Sequence, residues 1–302
     1  MTPRRGVLDG LRRRKFLKVV SGLLVSQRHI VILGPTGAGK TTFARAFVRY
    51  CPDFTVFDYY NEYRDLRAIR VKPAIPFGPW VKNLGAMLRP DTGGVEISVA
   101  VYSALNHTNS WDDFLQKLER NVSMRRFWRG SEAVLARLLP LKYAGVLSND
   151  GELPPRAVVD LSRLEEEEKA YCVLLMLTRL LSIDRPFATR KFVLVEESKS
   201  AFVGEMVTPA VIPLLNRARK FNIRLVLILQ SLPKKHRETL IQQNLVVFYP
   251  GEVLARKLWL EGFPRDILSL KKHEALVYVA ENDKWVKVRV NPQRPSRAGE
   301  WT

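Results

Sequence analysis

The segment from His29 to Phe43 limits what this chain can fold into more than any other segment does. Four apolar residues, Ile30 to Leu33, lead into the octapeptide from Gly34 to Thr41, and a helix-like apolar pattern follows. The octapeptide, GPTGAGKT, matches the P-loop pattern G-x-x-x-x-G-K-[ST] in its required context of strand, loop and helix. Glycines let the backbone wrap a phosphate chain, and the loop N–H groups point at the phosphates. The segment therefore predicts a nucleotide site.

Individual P-loop residues have different predicted roles. Lys40 is expected to reach the β- and γ-phosphates, and Thr41 to hold Mg²⁺. An ordinary glycine-rich turn is the alternative, and the buried strand in front of the loop disfavours it. The predicted nucleotide-binding residues are Gly34, Pro35, Thr36, Gly37, Ala38, Gly39, Lys40, Thr41 and Thr42.

Two further apolar strands end in polar residues. The strand Val193 to Val195 delivers Glu196 and Glu197, and the strand Arg224 to Leu229 is followed by Gln230. We expect Glu196 to lie on the metal side of the phosphates and Glu197 to polarise the attacking water as general base. Gln230 is a candidate for sensing the γ-phosphate or orienting that water. Solvated charge and a plain polar cap are the respective alternatives.

Strand and helix patterns alternate along the second half of the chain, which predicts an α/β fold with a mostly parallel sheet. Residues 1–28 are expected to form a basic helix or arm, 29–290 the main domain, and 291–302 a flexible tail. A helical insertion is predicted for about 64–153, and a C-terminal β-hairpin around Asn282-Asp283. Within the insertion, Val95 to Tyr102 alternates like a strand, Ser110 is an N-cap candidate, and Ser131 is expected to start another helix.

The composition favours a polyanionic partner and a reducing compartment. The chain has 302 residues and a formal net charge of +19, so a nucleic acid or an anionic membrane is the expected partner class. Its two cysteines and four histidines show no metal-ligand spacing, which predicts neither a disulfide framework nor a zinc site. We expect no transmembrane segment and a cytoplasmic location, or association with a virion or a membrane-bound assembly.

The order of motifs resembles that of the FtsK/HerA superfamily of DNA-pumping ATPases, and within it the HerA-like branch. Four segments carry the resemblance: His29 to Thr42, Asp58 to Tyr63, Val193 to Ser198, and Arg217 to Gln230. Glu196 replaces the usual aspartate and Asn61 a glycine. Residues 1–28 leave no room for the N-terminal barrel of archaeal HerA, so we expect a compact motor like viral genome-packaging ATPases.

The resemblance implies a RecA-like P-loop domain with helices on both faces of the sheet, and ATP and Mg²⁺ as cofactors. It implies that Arg219 is an arginine finger inserted into a neighbouring copy's site, and that Gln230 acts in catalysis. It also implies a homo-oligomeric ring, a hexamer, around double-stranded DNA. The residues at the positions of the family's pore loops, expected to contact DNA, are Lys199, Phe202, Lys234, Lys235 and Arg237.

The function predicted from these observations is ATP-driven translocation of double-stranded DNA, as in genome packaging or DNA transfer, with a capsid, portal, pilus or nuclease as docking partner. One alternative is a HerA-like repair motor that works with a nuclease. Another is a nucleotide-gated DNA-binding or assembly factor with negligible turnover. A P-loop kinase for a small substrate is a third, which the positive charge disfavours.

Overall fold

The computed structural model describes residues 5–88, 94–182, 185–196, 215–232, 237–260 and 262–290. Within these residues the strands of a nine-stranded sheet are β1 (Ile30–Leu33), β2 (Asp53–Asp58), β3 (Ile69–Val71), β6 (Ala157–Asp160), β7 (Lys191–Glu196), β8 (Ile223–Leu229), β9 (Asn244–Phe248), β10 (Glu274–Val279) and β11 (Lys284–Arg289). Their order across the sheet is β11-β10-β9-β1-β8-β7-β2-β6-β3. A separate short pair joins β4 (Ile75–Pro76) to β5 (Leu147–Ser148).

In the large sheet, the strands β1, β2, β3, β6, β7, β8 and β9 run parallel to one another. The hairpin β10–β11 adds an antiparallel edge beside β9. Strands β1, β2, β7, β8 and β9 are buried along their whole length, because helices cover both faces of the sheet. This confirms the predicted α/β fold with a mostly parallel sheet and a C-terminal hairpin. Strand β9, which the sequence analysis did not identify, lies directly beside β1.

The helices divide into two layers. Helices α1 (Arg5–Val25) and α2 (Lys40–Val48) cover one face, where Leu23 and Phe47 pack with Phe192. The other face, to which Leu33 and Val195 point, is covered by the insertion helices and the helix after β6. These are α3 (Leu84–Met87), α4 (Gly94–Leu105), α5 (Trp111–Ser123), α6 (Trp128–Tyr143) and α7 (Glu166–Leu180). The described ranges also contain the helices α8 (Arg237–Ile241) and α9 (Glu252–Leu260). None of the helices in the described ranges is long and apolar enough to cross a bilayer.

Two predictions for the insertion were wrong. The apolar alternation from Val95 to Tyr102 predicted a strand, but this segment belongs to helix α4. The buried residues of α4 recur with the helical period and are Ile97, Ala100, Val101 and Ala104. Helix α6 begins at Trp128, three residues before the predicted start at Ser131, and Ser131 is buried inside the helix.

The predicted N-cap of α5 is confirmed, since the Ser110 hydroxyl accepts a hydrogen bond from the Asp113 N–H at 3.2 Å. Strand β3 pairs with β6, so the helical part starts after Val71.

His29 locks the start of β1 to its neighbours. Its fully buried ring accepts the Leu225 N–H at Nδ1 (3.1 Å) and donates from Nε2 to the Leu215 carbonyl (2.7 Å). Burial lowers the pKa of His29 from 6.5 to about 4; the Leu215 hydrogen bond opposes that shift, and Arg219 and Arg224 add to it. The native protein therefore holds this ring neutral where the unfolded chain would protonate it.

Acid is therefore expected to destabilise the fold through His29. As the pH falls from 6.5 to about 4, the unfolded state takes up a proton that the native state does not, so stability is lost across that window. The loss amounts to about 3 kcal/mol, from the free energy that corresponds to one pKa unit. Urea unfolding at several pH values should show a weaker pH dependence for His29→Asn than for the wild type. The variant at the exposed His107, His107→Asn, is the control, and equal slopes for wild type and His29→Asn would contradict the assignment.

Candidate nucleotide site

The P-loop occupies the turn between β1 and α2, at the carboxyl edge of the parallel sheet. Gly34 has φ 149° and Gly39 has φ 108°, backbone conformations that favour glycine. A Cβ on Gly34 would lie 2.8 Å from Cβ of Phe248 in the adjacent β9, so the close approach of that strand also requires glycine. The Pro35 carbonyl accepts hydrogen bonds from the Ala38 N–H (3.2 Å) and the Lys40 ammonium (2.9 Å). These two hydrogen bonds within the loop stabilise its curved backbone conformation.

A cavity of about 840 Å³ opens beside this loop. Lys40, Thr41 and Glu196 line it together with Gln230, although 190 residues of sequence separate Lys40 from Gln230. Strands β1, β7 and β8 are parallel neighbours, and therefore their carboxyl ends deliver these side chains to one edge of the sheet. The other lining residues are Thr36, Gly37, Gly39, Thr42, Tyr60, Glu62, Glu166, Ile228 and His273.

Glu196 ends strand β7 and is only 6% exposed. Its Oε1 accepts hydrogen bonds from the Tyr63 hydroxyl (2.6 Å) and from Thr41 Oγ1 (3.2 Å). Burial raises the pKa of Glu196 to about 7; the two hydrogen bonds oppose the shift, while Glu62 and Asp58 add to it. A buried carboxylate beside further acids is a site where a bound cation would be strongly favoured.

A tight turn after β2 positions Tyr63 and Glu62. The fully buried carboxylate of Asp58 accepts the N–H groups of Glu62 (2.8 Å) and Tyr63 (3.2 Å). Asn61 has φ 64°, a left-handed conformation that asparagine adopts more readily than most residues. Asparagine can therefore occupy this position, where the sequence motif that this segment resembles has glycine. Arg70 braces the turn by donating to Asp58 at 3.1 Å and Asn61 at 2.9 Å. As a result, the Glu62 side chain lies at the cavity and Tyr63 beneath it.

Five lining residues were not predicted as site residues: Tyr60, Glu62, Glu166, Ile228 and His273. The Tyr60 hydroxyl donates to Glu166 at 3.2 Å, and the Lys169 ammonium lies 2.8 Å from the same carboxylate and 4.9 Å from the Tyr60 ring centre. In the sequence, the glutamates at the start of α7 have an ordinary explanation as partners of the helix dipole. Only the packing of α7 against the end of β2 brings Glu166 to the cavity.

Outside the P-loop, the structure describes only some of the predicted site residues. Gln230 lines the cavity, and Arg237 begins helix α8. Their roles stay predictions, as does the role of each cavity residue named above. Five predicted site residues lie outside the described ranges: Glu197, Lys199, Phe202, Lys234 and Lys235.

Arg219 is exposed and lies away from the P-loop of its own chain. It belongs to a 3-10 turn, Arg219–Phe221, which precedes the amino end of β8, whereas the P-loop follows the carboxyl end of the adjacent parallel strand β1. The two features therefore occupy opposite edges of the sheet. An arginine in this place has access to a nucleotide site only if that site belongs to another copy.

The residues at the cavity suit Mg²⁺ better than a metal that needs a full set of protein ligands. A hydroxyl, Thr41 Oγ1, and a carboxylate, Glu196 Oε1, lie 3.2 Å apart, and Mg²⁺ prefers oxygen ligands while keeping several waters and phosphate oxygens. In the described part of the chain there is no group of three or more His, Cys, Asp or Glu side chains that could enclose a metal ion.

No protein-family model matches this sequence, and no curated protein matches it. Solved structures do match. VirB4 of Thermoanaerobacter pseudethanolicus aligns with TM-score 0.63 at 15% identity, over 88% of this chain and 89% of that chain. The bacterial conjugative coupling protein TrwBΔN70 with sulfate aligns with TM-score 0.65 at 16% identity, over 89% and 86%. TrwB with ADP and Mg²⁺ aligns with TM-score 0.61 at 16% identity over the same shares. The chain therefore has the fold of VirB4 and TrwB, and this agrees with the predicted α/β fold built on a mostly parallel sheet.

Proposed function

We propose that this chain hydrolyses ATP to move double-stranded DNA and works as a ring of identical copies, a hexamer, in DNA transfer or genome packaging. The observation that carries the proposal is the single cavity shared by Lys40, Thr41, Glu196 and Gln230. The structural neighbours support it, because TrwB is a plasmid coupling protein solved with ADP and Mg²⁺ and with a non-hydrolysable ATP analogue.

The four residues that carry the proposal, together with Glu197 and Arg219, each have a part in this chemistry. Lys40 offsets the negative charge of the β- and γ-phosphates, and the loop N–H groups bind their oxygens. Thr41 and Glu196 would hold Mg²⁺, which when bound neutralises charge that develops on the transferred phosphoryl group. Glu197, the next residue after β7, would accept the proton of the attacking water, and Gln230 would orient that water. Arg219 of another copy would complete the site.

Tyr63 is expected to determine how tightly the site holds Mg²⁺. Its hydroxyl donates to Glu196 Oε1 at 2.6 Å from a fully buried position, so it orients the carboxylate from behind. Loss of such a supporting hydrogen bond weakens metal binding about 10- to 100-fold. We expect Tyr63→Phe to raise the Mg²⁺ concentration needed for half-maximal ATPase activity by about that factor, with the rate largely restored at saturating Mg²⁺. Tyr143→Phe, at an exposed tyrosine, is the control, and an unchanged Mg²⁺ dependence for Tyr63→Phe would contradict this role.

The DNA-contacting part of the proposal rests on charge. A net charge of +19 on 302 residues suits a phosphate backbone, and such contacts are salt-dependent and independent of base sequence. Lys199 and Phe202 follow β7, and Lys234, Lys235 and Arg237 follow β8, so both groups come directly after strands that end at the cavity. Changes at the γ-phosphate would thereby reach the DNA-contacting residues. A capsid, portal, pilus or nuclease would dock the ring, in the cytoplasm, in a virion or at a membrane-bound assembly.

The decisive experiment measures the ATPase rate with and without duplex DNA, together with particle mass under the same conditions. We expect DNA to stimulate hydrolysis and the mass to be that of a hexamer. Duplex binding that depends on nucleotide, without turnover, would instead favour the nucleotide-gated assembly factor. A monomer whose ATPase rate is the same with and without duplex DNA would contradict the proposed motor function. Stimulation that requires a nuclease would favour the repair alternative.

A further inference from the structure

A second cleft lies on the helical insertion, on different elements from the nucleotide cavity. It has a volume of about 300 Å³ and separates helix α4 from the turn that precedes α6, and we name it the α4–α6 cleft. Its walls are apolar, with Val95 and Val99 on one side and the rings of Phe127 and Trp128 on the other. Glu96 and Arg129 supply its charged groups.

The turn before α6 displays its aromatic side chains in an unusual backbone conformation. Arg125 has φ 52° and Phe127 has φ 50°, left-handed values that are uncommon for residues with a large side chain. Gly130 fixes the distance between the helices, because a Cβ there would collide with the Glu96 carbonyl of α4. Phe127, the last residue before α6, and Trp128, its first residue, nevertheless each remain 41% exposed, and so the start of α6 presents two rings to solvent.

Three exposed arginines surround these rings. The guanidinium of Arg126 lies 5.5 Å from the Phe127 ring centre, and that of Arg129 lies 5.3 Å from the ring of Trp128. Arg125 is exposed beside them. Over the described ranges, none of the three forms an ion pair. The cleft and its rim therefore combine arginines outside any ion pair with partly exposed aromatic rings, the combination that binds backbone phosphates and unstacked bases together.

We propose that the α4–α6 cleft binds single-stranded nucleic acid. One unstacked base enters between the rings of Phe127 and Trp128 and the methyl groups of Val95 and Val99, and the arginines contact the flanking phosphates. A duplex does not fit, because its bases are already stacked and the cleft is too small for a helix. Glu96 lines the cleft itself, where it can accept a hydrogen bond from an exocyclic amino group of the base. An anionic headgroup or a carboxylate that entered the same space would be repelled by Glu96, whereas the phosphates of a single strand remain outside, at the arginines.

This inference shares with the proposed function only the class of partner, nucleic acid. It requires neither hydrolysis nor a ring, so nucleotide-free protein can test it. A motor that handles duplex DNA in its pore would use such a cleft to capture a single-stranded end or a displaced strand.

The test measures binding of a fluorescein-labelled oligocytidylate of about 20 nucleotides by anisotropy, because site sizes for single strands are smaller than this. Replacing a stacking ring weakens binding by about 5- to 150-fold, so Trp128→Ala is expected to lose affinity by that factor. Arg126→Gln should reduce the slope of log affinity against log salt by about 0.7. An oligomer of abasic residues should bind wild-type protein as weakly as the oligocytidylate binds Trp128→Ala.

Matched controls are available on the same chain. Tyr143 is 82% exposed at the end of α6, and Arg67 is exposed beside β3, so Tyr143→Ala and Arg67→Gln remove an aromatic ring and a charge elsewhere. Both should bind like the wild type. Urea unfolding curves of all variants check that the fold is intact.

Wild-type affinity in Trp128→Ala, or equal affinity of wild-type protein for the abasic oligomer, would overturn the proposal. Trp128-dependent binding to phosphatidylglycerol vesicles with no effect on the oligonucleotide would assign the cleft to a membrane surface and overturn it as well. If duplex DNA does not stimulate the ATPase while oligonucleotide binding still depends on Trp128, then the proposed motor function is wrong and the proposed single-strand binding by the α4–α6 cleft is supported. The two proposals can therefore fail separately.

Discussion

Replacing Lys40 by alanine is expected to reduce ATP hydrolysis by at least about 100-fold, the loss typical of removing one group that stabilises developing charge. Lys40 is the lysine of the P-loop pattern that we propose to contact the phosphates, and its ammonium lies 2.9 Å from the Pro35 carbonyl of the same loop. Phosphate release under saturating ATP and Mg²⁺ measures the effect. Nucleotide binding, followed with a fluorescent ATP analogue, should weaken as well, because the same ammonium contacts bound phosphates.

The control is Lys82→Ala, at an exposed lysine of the insertion that lies outside the cavity lining. It should hydrolyse ATP at the wild-type rate. Hydrolysis by Lys40→Ala at a rate close to that of the control would mean that this P-loop does not carry the chemistry, and the proposed function would then be wrong.

Arg219→Ala is expected to leave nucleotide binding intact and to reduce hydrolysis by about 10³-fold, the lower range reported for arginine fingers. The reason is geometric. Arg219 precedes the amino end of β8 while the P-loop follows the carboxyl end of β1, so it lies at the opposite edge of the sheet from its own site. Under the proposed function, Arg219 would therefore act in trans, from one copy to the next around a ring.

Mixing two inactive variants tests that geometry. In a ring assembled from equal amounts of Arg219→Ala and Lys40→Ala subunits, some sites receive Lys40 from the first variant and Arg219 from the second. About a quarter of the interfaces of a head-to-tail ring satisfy both conditions, so partial activity should return. The control mixes Arg219→Ala with the double variant, which supplies neither group. No recovery in the first mixture, with rings of the correct mass, would refute an arginine finger at this position.

The sequence predicted the parts of the site that depend on local rules. The P-loop is a contiguous motif whose glycines need particular backbone angles, and Gly34 and Gly39 have such angles. Glu196 ends one apolar strand and Gln230 follows another, and neighbouring parallel strands have their carboxyl ends at one edge of the sheet. These features could be predicted because each depends on neighbouring residues or on a general property of parallel sheets.

The insertion was predicted less well. The apolar alternation from Val95 to Tyr102 fits a strand, yet the segment is helical because Ile97, Ala100 and Val101 pack against other insertion helices. Strand β9 was not identified, although it forms the wall against which Gly34 packs. In both cases the deciding contacts come from residues distant in the sequence.

The sequence by itself determined that this chain is an α/β P-loop protein with a strongly basic surface, because glycine conformations, strand periodicity and net charge are local or additive properties. Only the tertiary structure decided that Tyr63 supports Glu196 across 133 residues of sequence, and that Glu166 borders the same cavity. It also decided that Arg219 faces away from its own site and that Phe127 and Trp128 form a cleft with α4. The physical reason is that these contacts arise from the packing of whole helices and strands, which no single segment specifies.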